Sequence, residues 1–224
     1  MKFVWVTQII KDGKKHRVFL DGEETFWLYS SELRASHLQE NMELAQEQYE
    51  QILYEYIVKR AKRRALHLLE KMDRTKKQLT NKLFGSGYPA AAVEAAVKYV
   101  ESYHYLDDER YARHYMELHK ERDSRQKMKT DLMRKGVDRE MIDALLEEEQ
   151  ESVFSESGEP IEGIQQGAEE RETAQIVRWL EKKHYPVQPQ DEKEKRRVYQ
   201  FLLRKGYKSS EILTQMEKAE QQVT

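Results

Sequence analysis

Lysine and arginine are the residues of this sequence whose numbers and spacing could do chemistry. Clustered on one face, such side chains bind phosphate groups or acidic protein surfaces. The candidates are Arg60, Lys62, Arg63, Arg64, Lys76, Lys77, Lys127, Lys129, Arg134, Lys135, Arg196, Arg197, Arg204 and Lys205. A solvated helix face interspersed with Glu70 and Asp73 explains the run from Lys59 to Lys77 equally well. Compensation of a helix dipole explains part of the charge at the later positions.

Residues suited to catalysis or metal binding are sparse. Asp107 and Asp108 are adjacent carboxylates, but such a pair at the start of a helix is better explained as an N-cap and a dipole partner. His114 and His119 are five residues apart, which is poor spacing for a shared metal ion. The absence of cysteine excludes thiolate nucleophiles and disulfides, and Gly85-Ser86-Gly87 lacks the Lys-Ser/Thr of a phosphate loop. We therefore expect no enzyme activity, cofactor or metal.

The composition favours thin helical elements. Hydrophobic residues make up 38% and charged residues 36% of the 224 residues, and the net charge of -2 argues against a simple DNA-coating protein. No apolar run approaches the roughly 20 residues of a membrane span, and residues 1–10 do not resemble a signal peptide. We expect a soluble, cytoplasmic protein.

The first 58 residues differ from the rest of the chain. Alternating apolar residues from Phe3 to Ile9, and turns at Lys11–Lys14 and Asp21-Gly22, predict a small β-hairpin or meander over residues 1–30. Residues 31–58 have apolar positions at helical spacing, and between Glu40 and Glu55 their only charges are acidic. They predict an acidic linking helix.

One phrase then occurs three times. It reads Leu79…Leu83-Phe84-Gly85-Ser86-Gly87-Tyr88, Met128…Leu132-Met133-Arg134-Lys135-Gly136-Val137, and Val198…Leu202-Leu203-Arg204-Lys205-Gly206-Tyr207. Each final glycine should end a helix in the left-handed conformation, and the residue after it should fold back onto that helix. The next helix supplies an apolar pair four residues apart, namely Val93 and Val97, Ile142 and Leu146, or Ile212 and Met216.

These repeats predict a mainly α fold. Tandem three-helix repeats over residues 59–104, 105–150 and 172–224 would stack into an elongated curved rod, with the small N-terminal β-hairpin or meander attached. Residues 151–171, rich in Glu, Ser and Gly, predict a flexible acidic linker.

Several segments, taken in order, resemble the RecX family of regulatory proteins. They are Ala65–Leu69 with the first glycine phrase, Tyr105-Leu106-Asp107-Asp108-Glu109-Arg110-Tyr111-Ala112, Leu132–Val137, and Ile142–Leu145. The chain departs from the family pattern at Gly85-Ser86, where the other repeats have a basic pair, and between Asp123 and Met128, where a glycine is often found. The resemblance spans about three quarters of the chain, from about Lys59 onward.

The resemblance implies a partner and a role. RecX proteins lie in the groove of the RecA–DNA filament through a basic concave side, so the basic candidates would contact RecA or DNA, the latter weakly and without sequence specificity. The implied function is modulation of RecA recombinase, ATPase and co-protease activities in DNA repair and the SOS response, with inhibition the expected direction. We expect a monomer.

Two alternatives stay open. A glycine turn between helices also describes a helix-turn-helix regulator, which would bind DNA as a dimer, with sequence specificity and without RecA. Five tyrosines around the first repeat junction could stack on bases or simply pack with their hydroxyls at the surface; they are Tyr99, Tyr103, Tyr105, Tyr111 and Tyr115.

Overall fold

The computed structural model of the chain describes residues 3–151, 164–186 and 192–222. These residues form two compact units, Met1–Asp108 and Glu109–Thr224. The predicted mainly α class, with a small N-terminal antiparallel sheet and tandem three-helix repeats, is confirmed. The rod shape stays a prediction.

The first unit begins with an antiparallel sheet in the order β3-β2-β1-β4. Its strands are β1 (Phe3–Asp12), β2 (Lys15–Leu20), β3 (Glu23–Tyr29) and β4 (Met42–Ala45). The predicted turn at Asp21-Gly22 joins β2 to β3 with positive φ angles of 52° and 89°, as expected where two residues connect antiparallel strands. One face of the sheet buries Val6, Val18 and Leu28.

The single acidic helix predicted over residues 31–58 is wrong in its first half. The segment contains α1 (Ser30–Ala35), the strand β4, then α2 (Gln46–Ile52) and a π-helical stretch (Leu53–Val58). His37 and Asn41 adopt left-handed conformations that interrupt the helix, and Leu44 is buried opposite Val4 on the edge of β1. Pairing with an open strand edge therefore overrides helical spacing here.

The first repeat completes this unit. Its helices are α3 (Lys59–Lys71), α4 (Lys76–Phe84) and α5 (Ala90–Ser102). Ala61, Leu79, Leu83 and Val93 belong to the same hydrophobic cluster as the sheet residues, so the sheet and the repeat share one core.

The second unit holds the other two repeats. They comprise α6 (Asp108–His119), α7 (Arg125–Lys135) and α8 (Arg139–Glu151), followed by α9 (Ile164–Lys182), α10 (Glu192–Arg204) and α11 (Ser209–Gln221). Each repeat has its own core, and the predicted apolar pairs Ile142 and Leu146, and Ile212 and Met216, are buried in them.

The flexible linker predicted over residues 151–171 is wrong at its C-terminal end, because α9 already begins at Ile164. Apart from Gly167, residues 164–171 are mostly strong helix formers, and this local preference outweighs the missing apolar period. Residues 152–163 lie outside the described part of the chain.

The glycines in the turns that follow α4, α7 and α10 have the predicted left-handed conformation. Gly87, Gly136 and Gly206 have φ angles of 79°, 97° and 88°. The N–H of the next residue, Tyr88, Val137 or Tyr207, donates to the carbonyl of the leucine five positions earlier. That same residue is buried in each repeat, as expected for a chain that folds back onto the finished helix.

The turn at Gly206 also joins the second and third repeats. The Ser124 N–H donates to the Lys205 carbonyl at 3.1 Å. A Cβ at position 206 would lie 2.4 Å from Ser124 Oγ and 2.7 Å from Lys127 Cβ, whereas one at Gly87 would meet Trp27 at 3.4 Å, an ordinary contact. Glycine is therefore required at 206 for space as well as for conformation.

In each of the first two repeats, the first backbone N–H of the middle helix donates to a carboxylate. That carboxylate belongs to a helix that lies later in the chain. In α4, the Lys76 N–H donates to the Asp108 carboxylate at 2.8 Å. In α7, the Arg125 N–H donates to Glu172 at 2.9 Å. Asp108 and Glu172 are 64 residues apart, the same offset as the buried Met116 of α6 and Leu180 of α9, so the contact is a property of the repeat.

We predict that Gly206→Ala destabilises the second unit far more than Gly87→Ala destabilises the first. Left-handed alanine costs about 1 kcal/mol at either site, and the clash at 206 adds about 1–3 kcal/mol. Amide hydrogen exchange at Leu202 and Leu83 measures the opening free energy of the two units. Equal losses for the two variants would contradict the close approach at Gly206.

We also predict a pH-dependent effect of Glu172→Gln. Burial raises the pKa of Glu172, although the hydrogen bond from the Arg125 backbone opposes this. The pKa is thus higher in the folded than in the unfolded state, so the charged form costs folding free energy, and this cost grows as pH rises through the folded-state pKa. Urea unfolding at several pH values between about 4 and 8 should show that the wild type loses stability relative to Glu172→Gln as the pH rises. Parallel stability curves would refute this reading.

Candidate partner-binding surface

The predicted basic residues divide into those held by contacts within the chain and those exposed to solvent. Arg60 belongs to the first group. Its guanidinium donates to Glu32 at 2.5 Å and to the Trp27 carbonyl at 2.6 Å, and it lies 3.8 Å from the centre of the Trp27 ring. Burial lowers its pKa, against the opposing charge of Glu32. Arg60 therefore fixes α3 to the sheet, and its guanidinium is occupied by these contacts.

The other basic residues of the first repeat are more accessible. Arg63 and Arg64 on α3 and Lys77 on α4 are exposed. Lys62 is partly covered, with its ammonium 4.6 Å from the centre of the Tyr99 ring, and Lys76 lies 2.7 Å from Glu101. Exposed ion pairs of this kind contribute little stability, so Lys76 can exchange Glu101 for another anion at little cost.

Asp131 organises the basic residues of α7. It is buried, and it accepts from Lys127 at 2.9 Å, from Arg134 at 3.0 Å and from the Tyr115 hydroxyl at 3.2 Å. Burial alone would raise the pKa of Asp131, but these donors outweigh it and hold the pKa below its usual value. Arg134 nevertheless remains 76% exposed, so its free edge faces solvent.

The two remaining candidates of α7 are held by contacts with other helices. Lys129 pairs with Asp143 of α8. Lys135 lies over the rings of Tyr111 and Tyr115 of α6, with its ammonium 5.3 Å from the centre of the Tyr115 ring. These contacts join α7 to its neighbours within the second repeat.

On α10 the same division appears. Arg196, Arg197 and Arg204 are exposed. Lys205 instead donates to Asp123 at 2.8 Å and lies 5.1 Å from the centre of the Trp179 ring. The exposed arginines Arg134 and Arg204 occupy the same position of the repeated phrase, 70 residues apart.

Asp123 was missed by the sequence reasoning. It is buried at the junction of the second and third repeats, with His119 Nδ1 2.8 Å from one carboxylate oxygen and Lys205 donating to the other. Burial would raise its pKa, but Lys205 and His119 overcome this and lower it. The spacing of His119 and Asp123, and of Lys127 and Asp131, is i to i+4, a pattern that was available in the sequence.

The tyrosines do not behave as one cluster. Tyr103 and Tyr105 are more than half exposed, with rings nearly parallel and centroids 6.2 Å apart. Tyr99 is partly buried against the first core, with its ring centroid 5.0 Å from that of Tyr103, while Tyr111 and Tyr115 pack on the second core.

Within the described residues, no group of three or more His, Asp or Glu side chains is arranged to hold a metal ion. Asp108, considered for such chemistry, accepts the Lys76 N–H, and burial raises its pKa. Its observed contact is therefore with the start of α4, in addition to its expected place at the start of its own helix. None of the described helices combines the length and the apolar character of a membrane span.

Models of known protein domains match all three repeats. The first, second and third three-helix domains of RecX match residues 61–99, 107–146 and 169–214. Together these ranges cover more than half of the chain.

Three curated relatives illustrate the similarity, and each is named regulatory protein RecX. The protein of Caldanaerobacter subterraneus subsp. tengcongensis is 34% identical over 145 residues, covering 63% of this chain and 74% of that protein. The Vibrio campbellii protein is 31% identical, covering 68% and 86%. The Clostridium acetobutylicum protein is 26% identical, with 92% of each chain covered.

Solved structures agree in fold. A crystal structure of regulatory protein RecX superposes with a TM-score of 0.52 at 22% identity, covering 96% of this chain and 99% of that one. RecX from Lactobacillus salivarius gives a TM-score of 0.50 at 17% identity, covering 73% and 96%. The ordered domain matches, the relatives and the shared fold lead to one conclusion: this chain belongs to the RecX family of regulatory proteins.

Proposed function

We propose that this protein binds the RecA–DNA filament and modulates the recombinase, ATPase and co-protease activities of RecA, with inhibition as the direction. The role belongs to DNA repair and the SOS response, and the protein acts in the cytoplasm as a monomer without catalytic chemistry of its own. Family membership supports the regulatory role. The proposed limits of the first two repeats are 59–104 and 105–150, and the third repeat begins with α9 at Ile164.

One observation identifies the residues that we expect to contact the partner. Arg134 and Arg204 occupy the same position in two repeats, and both are exposed, although many neighbouring cations are held by internal carboxylates or rings. An exposed guanidinium can bind carboxylate or phosphate through two parallel hydrogen bonds. The same group repeated along one chain suits a partner that is itself repetitive.

The other exposed or weakly paired cations extend this surface. We propose that it consists of Lys62, Arg63, Arg64, Lys76, Lys77, Arg134, Arg196, Arg197 and Arg204. Lys127, Lys129, Lys135 and Lys205 support it from within, because their ammonium groups are held by carboxylates or aromatic rings. Contacts with DNA would be weak and independent of sequence, since the net charge is only -2.

The direct test measures DNA-dependent ATP hydrolysis by RecA while this protein is titrated at fixed salt. We expect inhibition at concentrations below that of RecA, because one bound molecule affects filament growth beyond its own contacts. A parallel titration with DNA alone should show only weak binding. No effect on RecA, together with tight and sequence-dependent DNA binding, would replace this proposal with a helix-turn-helix regulator.

We predict that the double variant Arg134→Gln/Arg204→Gln raises the concentration needed for half-maximal inhibition by about tenfold or more, since each lost charge-assisted contact is worth about 1 kcal/mol or more. The change should shrink as salt is raised, because these contacts are exposed. Arg139→Gln/Arg178→Gln is the matched control, since it also removes two charges. Arg139 and Arg178 are 70% and 73% exposed, lie outside the proposed surface, and pair with Asp143 and Glu121 at 3.6 and 3.5 Å. Equal effects of the two variants would show that bulk charge, not position, matters.

A further inference from the structure

An exposed apolar side chain occurs at the same position in every repeat. Phe84, Met133 and Leu203 are 48%, 42% and 40% exposed. They are separated by 49 and 70 residues, the spacing of the turn glycines. The position is therefore part of the repeat, although its side chain lies at the surface.

The backbone around this position is also the same in the three repeats. The residue follows a leucine with no exposed surface, namely Leu83, Leu132 or Leu202. Its carbonyl accepts the N–H of the turn glycine, at 2.8 Å for Phe84, 3.0 Å for Met133 and 2.9 Å for Leu203. This backbone hydrogen bond makes no demand on the side chain, so any residue compatible with a helix end would serve it.

Other exposed apolar side chains do not recur in this way. Leu118 of α6 is replaced by Lys182 at the equivalent position of α9, and Val177 of α9 by Arg113 of α6. Leu213 of α11 is likewise replaced by Asp143 of α8. The fold accepts charge at such surface positions, as expected for solvated helix faces. Packing within the fold therefore does not explain why all three repeats have an apolar side chain at this exposed position. Contact with a partner would explain it.

The neighbouring charges indicate the chemistry of a partner. Exposed arginines, Arg134 and Arg204, directly follow Met133 and Leu203, while Gly85 follows Phe84. An apolar side chain gains little against phosphate, whereas a protein surface can offer an apolar depression with an acidic rim. The pairing of apolar and cationic groups thus favours protein over nucleic acid.

We propose that Phe84, Met133 and Leu203 are apolar anchors, one in each repeat, that insert into equivalent depressions on successive subunits of a protein filament. Each depression has carboxylates at its rim, which pair with Arg134 and Arg204 in the second and third repeats. This rests on the proposed function and specifies what the filament protein, rather than its DNA, must present. Covalent linkage of three weak contacts gives the avidity.

The test replaces the three anchors together, as Phe84→Ser/Met133→Ser/Leu203→Ser, and measures binding to RecA filaments assembled on single-stranded DNA and to the DNA alone. We expect affinity for the filament to fall by about 100-fold or more, since each buried anchor lost costs about fivefold to tenfold. Binding to DNA alone should stay unchanged. Each single variant should show an intermediate loss.

The control is Leu118→Ser/Leu213→Ser, which removes side chains that are 60% and 44% exposed but do not recur. It should bind the filament like the wild type. Thermal unfolding should show small and similar shifts for the two sets of variants, because all five side chains are partly exposed and none belongs to a hydrophobic core. The proposed anchor role would be refuted if the triple variant and the control lost filament affinity equally. A parallel loss of affinity for DNA alone would refute it as well.

The outcomes separate this inference from the proposed function. If the wild type binds the filament and the triple variant binds equally well, the anchors are wrong and the proposed function stands. If the wild type itself does not bind the filament, the proposed function fails, and the anchors fail with it.

Discussion

The first turn of the middle helix is the point on which the first two repeats depend. Thr75 and Ser124 cap α4 and α7 and are almost completely buried, and the backbone N–H that follows each of them donates to a carboxylate from a later helix. Neither helix has an acidic residue in its own first turn. Asp108 and Glu172, which lie later in the chain, supply the carboxylates. By contrast, α10 carries Glu192 and Glu194 in its own first turn.

Internal pairing decides which cations are available. A residue count suggests many equivalent basic side chains, but Asp123, Asp131 and Asp143 each hold at least one of them. Asp123 and Asp131 are buried; Asp131 pairs with Lys127 four residues away, whereas Asp123 pairs with Lys205 of the next repeat. Arg134 and Arg204 stay accessible to a partner, although Arg134 also contacts Asp131, and they recur at the end of the middle helix in the second and third repeats.

The features that repeat along the chain could be predicted from sequence, because the same residue types recur at equivalent positions of each repeat. The turn glycines and pairs such as Ile142 and Leu146 are examples, since position and chemistry coincide three times. The strand around Leu44 could not be predicted, because its conformation depends on the edge of β1, which precedes it by about 40 residues. The basic candidates were found by type, but their pairing with Asp123 or Asp143 depends on which helices pack together.

The carboxylates that complete the middle helices have a consequence for synthesis. In a chain made from its N-terminus, the Arg125 N–H at the start of α7 gains its carboxylate acceptor only when Glu172 has been added, 47 residues later. The second repeat therefore leaves the ribosome without this hydrogen bond and gains the stability that it adds only as the third repeat follows. The two repeats of the second unit should thus mature together, and a ribosome that stalls between them would hold a nascent segment open to chaperones and proteases.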